Sequence, residues 1–133
     1  MKNLATLLLV LLSLNCFSQP TSQDPFVGVW RGTSTCQLKN SPCKNETVVY
    51  YISAGAAKNL YVMKANKIVN GQEEEMGTLD FTYADSEKAL INKDVDRQNR
   101  QGIWMFKLQE KNLDGTLTLD GVLYRIIHVK KDD

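Results

Sequence analysis

Eight short segments rich in Val, Ile, Tyr, Phe, Trp and Thr follow one another between residues 26 and 130, and each alternates apolar with polar positions. They are 26–36, 45–53, 59–69, 74–83, 87–93, 101–109, 113–119 and 122–130. β-Branched and aromatic residues at a period of two suit pleated strands with one buried face. Helical periodicity is hard to find anywhere in the same region. The breaks carry turn chemistry: Ser53-Ala54-Gly55, Asn70-Gly71, Ala84-Asp85-Ser86, Asn112-Leu113-Asp114-Gly115 and Asp120-Gly121. Asn-Gly and Asp-Gly favour two-residue hairpins because both residues tolerate positive φ. Sequential hairpins make a meander, and eight strands allow it to close and remove its exposed edges. The predicted fold is all-β, a single eight-stranded antiparallel up-and-down barrel.

Alternation also sorts side chains between the two faces. Leu123, Arg125, Ile127 and Val129 share one face of the last segment, and Trp104, Phe106 and Leu108 share one face of the sixth. Gly77, Leu79, Phe81 and Tyr83 do so on the fourth, and Leu117 and Leu119 on the seventh. The dry face gathers Tyr51, Tyr61, Met63, Phe81, Tyr83, Trp104 and Phe106. These seven are the candidate lining of a cavity for a mostly apolar ligand, oriented by tyrosine hydroxyls. The alternative is a filled core, since the interior of eight strands is just wide enough for side chains.

The domain proper begins behind a targeting segment. Met1–Ser18 carries Lys2, an apolar run from Leu4 to Leu14, and small residues at Cys16 and Ser18, the pattern of a cleaved signal peptide. The run is too short to span a bilayer, which takes roughly 20 residues. Lipid attachment at Cys16 is the rival reading, and Leu14 and Asn15 fit it poorly. Residues 19–25 then form a short linker, and 26–133 a single domain. Loss of Lys2 leaves 15 basic and 15 acidic residues. A neutral, interspersed surface offers nothing to nucleic acid or anionic lipid, both of which require basic patches. Export places Cys36 and Cys43 where disulfides persist, and closing so short a loop is worth about 2–3 kcal/mol. A reactive or metal-binding thiol pair would want a neighbouring His or a further Cys, and the segment has neither.

With Gly28-x-Trp30 on the first strand, hairpin connectivity throughout and Arg125 on the last strand, the chain resembles the calycins, the lipocalins and their small-barrel relatives. The resemblance implies that Trp30 plugs the closed end of the barrel and that Arg125 packs across its ring. Such a cation–π contact is worth about 0.5–2 kcal/mol. It also implies a cavity that binds a small lipophilic ligand.

Chemistry of other kinds finds little support. His128 is the single histidine and falls on the wet face, with no Ser, Thr or Cys placed to serve as its nucleophile. The stretch Asp94–Arg100 starts like a calcium loop, but Asn99 stands where that loop needs glycine and Met105 where it needs glutamate. It reads as a solvated loop and a candidate contact surface. Glu73, Glu74 and Glu75 follow a turn and face water, without the cleft that paired-carboxylate catalysis requires. Asn45-Glu46-Thr47 is a glycosylation sequon, relevant in a eukaryotic source. The expectation is a secreted or periplasmic, non-catalytic binding protein for a small lipophilic molecule, with no cofactor, metal, nucleic-acid partner or membrane span. The alternative is a protein-interaction module, such as an inhibitor of an extracellular enzyme.

Overall fold

The computed structural model describes residues 23–133. The expected signal peptide, the alternative at Cys16 and most of the 19–25 linker lie outside the described residues. The eight strands are β1 (Gly28–Cys36), β2 (Glu46–Ala54), β3 (Leu60–Val69), β4 (Gln72–Ala84), β5 (Ala89–Val95), β6 (Gln101–Gln109), β7 (Asn112–Leu119) and β8 (Val122–Lys131). Each pairs antiparallel with the next and β8 returns to β1, so the sheet closes into the expected up-and-down barrel. The strand ends fall within two residues of those read from the alternation.

The turns explain most of this agreement. Asn70 and Gly71 have φ of 52° and 77°, and Asp120 and Gly121 have 49° and 79°. Two consecutive positive φ values match the right-handed twist of the flanking strands. One expected turn is corrected. Asn112–Gly115 lies within β7, and the chain reverses earlier, at Glu110-Lys111, with Glu110 at φ 58°. Gly115 is paired on both sides, to Phe106 and to Ile127. A Cβ there would collide with the Phe106 ring, so this glycine serves close packing and not reversal.

Two bulges adjust the faces. Met76 is an extra residue between the pairs Ala65–Gly77 and Asn66–Glu75. Tyr124 is extra between Leu117–Arg125 and Thr118–Leu123. Each bulge inverts the alternation beyond it. Leu123, expected inside, is therefore turned outward and 38% exposed, and Tyr124 enters the barrel mouth. On β2 it is Tyr50 that pairs with Trp30 and faces the lumen. Tyr51 points outward and its hydroxyl donates to Glu73 at 2.7 Å, which corrects its placement among the dry-face aromatics.

One end of the barrel is solid. Trp30, Phe81, Leu90, Phe106, Leu113 and Ile127 are fully buried there. The residues preceding β1 cap it: Phe26 packs against Tyr61 and Tyr83, with ring centroids 5.5 and 5.7 Å apart. Its carbonyl accepts a hydrogen bond from Trp30 Nε1 at 2.9 Å. Asp24 ties the cap down, accepting from the Phe26 amide at 3.0 Å and from the Tyr61 hydroxyl at 2.6 Å.

The expected Trp30–Arg125 contact does not form. In the β1–β8 register Trp30 stands opposite Lys131, whereas Arg125 stands opposite Cys36 at the far end of β1. The two positions are six residue steps apart along the strand, about 20 Å. Lys131 Nζ takes the role instead, 5.5 Å from the Trp30 ring centroid. Trp30→Ala is expected to lower the unfolding free energy by about 3–5 kcal/mol, since it empties a fully enclosed aromatic site. Lys131→Met should cost no more than about 1 kcal/mol. Urea unfolding of both variants with the disulfide intact checks the contrast, and a neutral Trp30→Ala would remove this residue from the core argument.

Candidate ligand cavity

The other half of the lumen is not filled. A cavity of about 490 Å³ opens there, walled by Met63 and Ala65 of β3, Met76 and Leu79 of β4, Trp104 of β6 and Leu117 of β7. Its floor is aromatic: the Trp104 ring lies flat against Phe106, with centroids 6.2 Å apart and planes 4° apart. Phe106 in turn meets Tyr50 and Phe81 edge-on, at 5.9 and 5.6 Å. That stack marks the boundary between packed core and open cavity. A smaller hollow of about 270 Å³ shares Leu79, Trp104 and Leu117 and extends toward Asp94, Asp96, Arg100 and Tyr124.

A polar cluster stands on the opposite wall, built from β1, β2 and β8. Ser34 and Glu46 face each other across the β1–β2 ladder, so both side chains project to the same side. Arg125 reaches across from β8. Its Nη1 donates to Ser34 Oγ at 3.1 Å and lies 3.6 Å from Glu46 Oε2. The Arg125 and Glu46 side chains are 12% and 23% exposed, the most enclosed ion pair among the described residues. Tyr50 completes the cluster. Burial pushes its hydroxyl well above the ordinary phenol range and the Glu46 charge adds to this, while Arg125 and Ser34 oppose it.

The structure distributes the expected site residues unevenly. Met63 and Trp104 line the cavity. Phe81 and Phe106 are core, and Tyr61 and Tyr83 close the opposite end against Phe26. Nothing local in the sequence brings Ser34, Glu46, Tyr50 and Arg125 together. The one available signal was Arg125 itself, a charge on an otherwise apolar strand face, which the register assigns to the cavity and not to Trp30.

The remaining candidates lie outside the lumen. His128 Nδ1 is 2.7 Å from Asp114 Oδ1 on the outer face, and no hydroxyl or thiol is hydrogen-bonded to the ring among the described residues. Glu74 and Glu75 pair with Lys67 and Lys64 on the surface. The β5–β6 loop is tightly braced: Asp96 accepts from the amides of Gln98 and Arg100, both at 2.9 Å, and from Arg100 Nε at 2.8 Å. Those bonds hold its carboxyl below the usual carboxylate range. Cys36 and Cys43 form a disulfide, with Cα atoms 5.8 Å apart, in the loop that joins the strands carrying Ser34 and Glu46. Among the described residues no group of three or more His, Cys, Asp or Glu side chains is placed to hold a metal ion. No described helix is long and apolar enough to cross a membrane.

Alkaline titration gives a test of this environment. Burial and a hydrogen bond to Asp24 also push the Tyr61 hydroxyl up, to about 12. A folded pKa above the unfolded value of 10 means that the unfolded chain loses its proton first. The stability these phenols contribute is therefore complete below pH 10 and lost as pH rises beyond it, by at most about 1.4 kcal/mol per pH unit for the buried Tyr50 and by less for Tyr61, whose charge is screened by solvent. Tyr50→Phe should flatten that decline in thermal melts between neutral pH and pH 11. An unchanged slope would mean that the Tyr50 hydroxyl is not held neutral by its surroundings.

Searches against protein families, curated proteins and solved structures found no match, so the chemistry of the cavity rests on its own residues.

Proposed function

We propose that this protein is a lipocalin-like, non-catalytic carrier or sensor of a small lipophilic molecule, acting outside the cytosol in a secreted or periplasmic setting. One observation carries the reading. Half of a closed barrel is left open as an apolar cavity of about 490 Å³ with a few convergent polar groups, a size and composition typical of small-ligand sites. The apolar wall of Met63, Leu79, Trp104 and Leu117 suits a hydrocarbon or ring system. The cluster of Ser34, Glu46, Tyr50 and Arg125 supplies orientation at one side. The Cys36–Cys43 disulfide fits an oxidising compartment, and the signal-like leader accords with it.

A second reading is kept alive by the mouth of the barrel. Leu38, Val95, Val122 and Leu123 are exposed near the open end, beside the Asp96-braced loop. An ordered loop flanked by apolar side chains is also what a protein-interaction module presents.

Native mass spectrometry of protein purified gently from its exporting host, before and after denaturation, separates the two. A small molecule released only on denaturation supports the carrier. Trp104 provides an internal reporter, because it lines the cavity while Trp30 is sealed in the opposite end. Binding of an apolar fluorescence quencher or ligand should alter tryptophan emission in the wild type and leave Trp104→Phe unchanged. Ala65→Leu, which adds bulk to the cavity wall, should weaken binding by about tenfold or more. Tight binding undiminished by Ala65→Leu would place the ligand elsewhere and sink this reading.

A further inference from the structure

We infer that the cavity selects amphiphiles whose head group is itself dipolar, offering an anion or acceptor to Arg125 and a cation or donor to Glu46, and that it discriminates against simple carboxylates. The inference rests on the reading of the cavity as a ligand site and concerns which head group that site takes.

The polar cluster is balanced in charge and poor in hydrogen bonds. Arg125 Nη1 is committed to Ser34, with Oγ at 3.1 Å and the backbone carbonyl at 3.4 Å. The approach to Glu46 Oε2 at 3.6 Å is an ion pair but too long for a hydrogen bond. Among the described residues, Arg125 Nε and Nη2 donate to no protein group, and neither oxygen of Glu46 accepts from one. A guanidinium carries five N–H donors and a carboxylate about four acceptor sites. Most of that capacity is left open on the wall of a cavity whose other lining is mainly apolar, with Thr78 the one further polar side chain.

Consider what each head group would meet there. A lone carboxylate gains the fork of Arg125 but arrives beside Glu46, so two carboxylates face one cation in an enclosed site. Either a net negative charge is desolvated or one of the acids takes up a proton, and both outcomes cost affinity. A lone ammonium meets the mirror-image problem with Arg125. A head group that carries both signs, or both a donor and an acceptor, keeps the site neutral and gives each protein charge an opposite partner. Its hydrocarbon tail then lies along Met63, Leu79, Trp104 and Leu117. Glu46 thereby acts as a specificity residue: it is the group that a wrong ligand leaves confronted or unpaired.

The test uses four amphiphiles of matched tail length: lauric acid, laurylamine, lauramide and the α-amino acid with a decyl side chain. Dissociation constants are measured by calorimetry at neutral pH, below micelle formation. The amino acid should bind at least about tenfold tighter than laurate, the worth of one charge-assisted hydrogen bond, with lauramide between them. Glu46→Gln should improve laurate by about tenfold and weaken the amino acid by a similar factor, inverting the order. Laurate binding tightest to the wild type would overturn the inference and leave the carrier reading standing, as would an order unmoved by Glu46→Gln in a variant with wild-type melting. Failure of all four probes to bind the wild type would overturn both. The wild-type ranking needs no variant to fold.

Discussion

A hydrogen-bond ladder that runs from β1 through β8 and back to β1 leaves each side chain two choices, lumen or water, and gives the lumen a nearly fixed volume. The side chains sent inward therefore decide whether this barrel is a packed core or a container. Large rings are spent at one end, where Trp30, Phe81 and Phe106 fill the cross-section and Phe26 seals it from outside the ladder. Toward the mouth, small residues at Ser34, Ala65 and Gly77 stand among larger ones such as Met63 and Trp104, and part of the width is left unfilled. The small side chains at these positions leave the room that the cavity occupies.

Closure also sets where the structure is weakest. β4 and β5 are joined only at Thr82–Ile91, Tyr83–Leu90 and Ala84–Ala89, all near the solid end. Beyond them the strands part, with Asn92 Nδ2 donating to the Asp80 carbonyl at 2.7 Å as a side-chain substitute for ladder bonding. Every other neighbouring pair keeps a longer ladder. The mouth side of the β4–β5 joint is thus the segment of wall with the fewest backbone hydrogen bonds, where local opening costs least. The disulfide acts on the opposite wall, constraining the loop between Ser34 and Glu46 and so the spacing of two cavity groups.

Strand order, strand limits and the two-residue turns were legible in the sequence because each depends on local chemistry: alternation, β-branching, and positive φ at Asn70-Gly71 and Asp120-Gly121. Face assignment was legible only where alternation ran unbroken. Tyr50 and Tyr51 are adjacent aromatics, and nothing local says which turns inward; the pairing of Tyr50 with Trp30 decides it. The bulges at Met76 and Tyr124 have no sequence marker of their own, since each exists only relative to a partner strand. Asp114-Gly115 looks like a turn and is a strand, because the demand for glycine came from the Phe106 ring across the ladder. Arg125 stands out in the sequence as a charge on an apolar face, but its neighbour is a matter of register, and register is a long-range property.

Enclosing an arginine and a glutamate is seldom the cheapest way to stabilise a wall. Well-packed apolar residues of similar volume do as well or better, and an ion pair without full hydrogen bonding recovers only part of its desolvation cost. Arg125 and Glu46 meet at 3.6 Å with Ser34 as their single added support, which is poor geometry for a device whose purpose is stability. The solid end, by contrast, satisfies its polar atoms closely, with Trp30 Nε1 on the Phe26 carbonyl and the Tyr61 hydroxyl on Asp24. One barrel therefore follows two rules, complete satisfaction where nothing enters and open valences where there is room for a ligand. Departures from local consistency concentrate at working sites in proteins generally. Here they gather on the cavity half: the ion pair, both bulges and the parted strands.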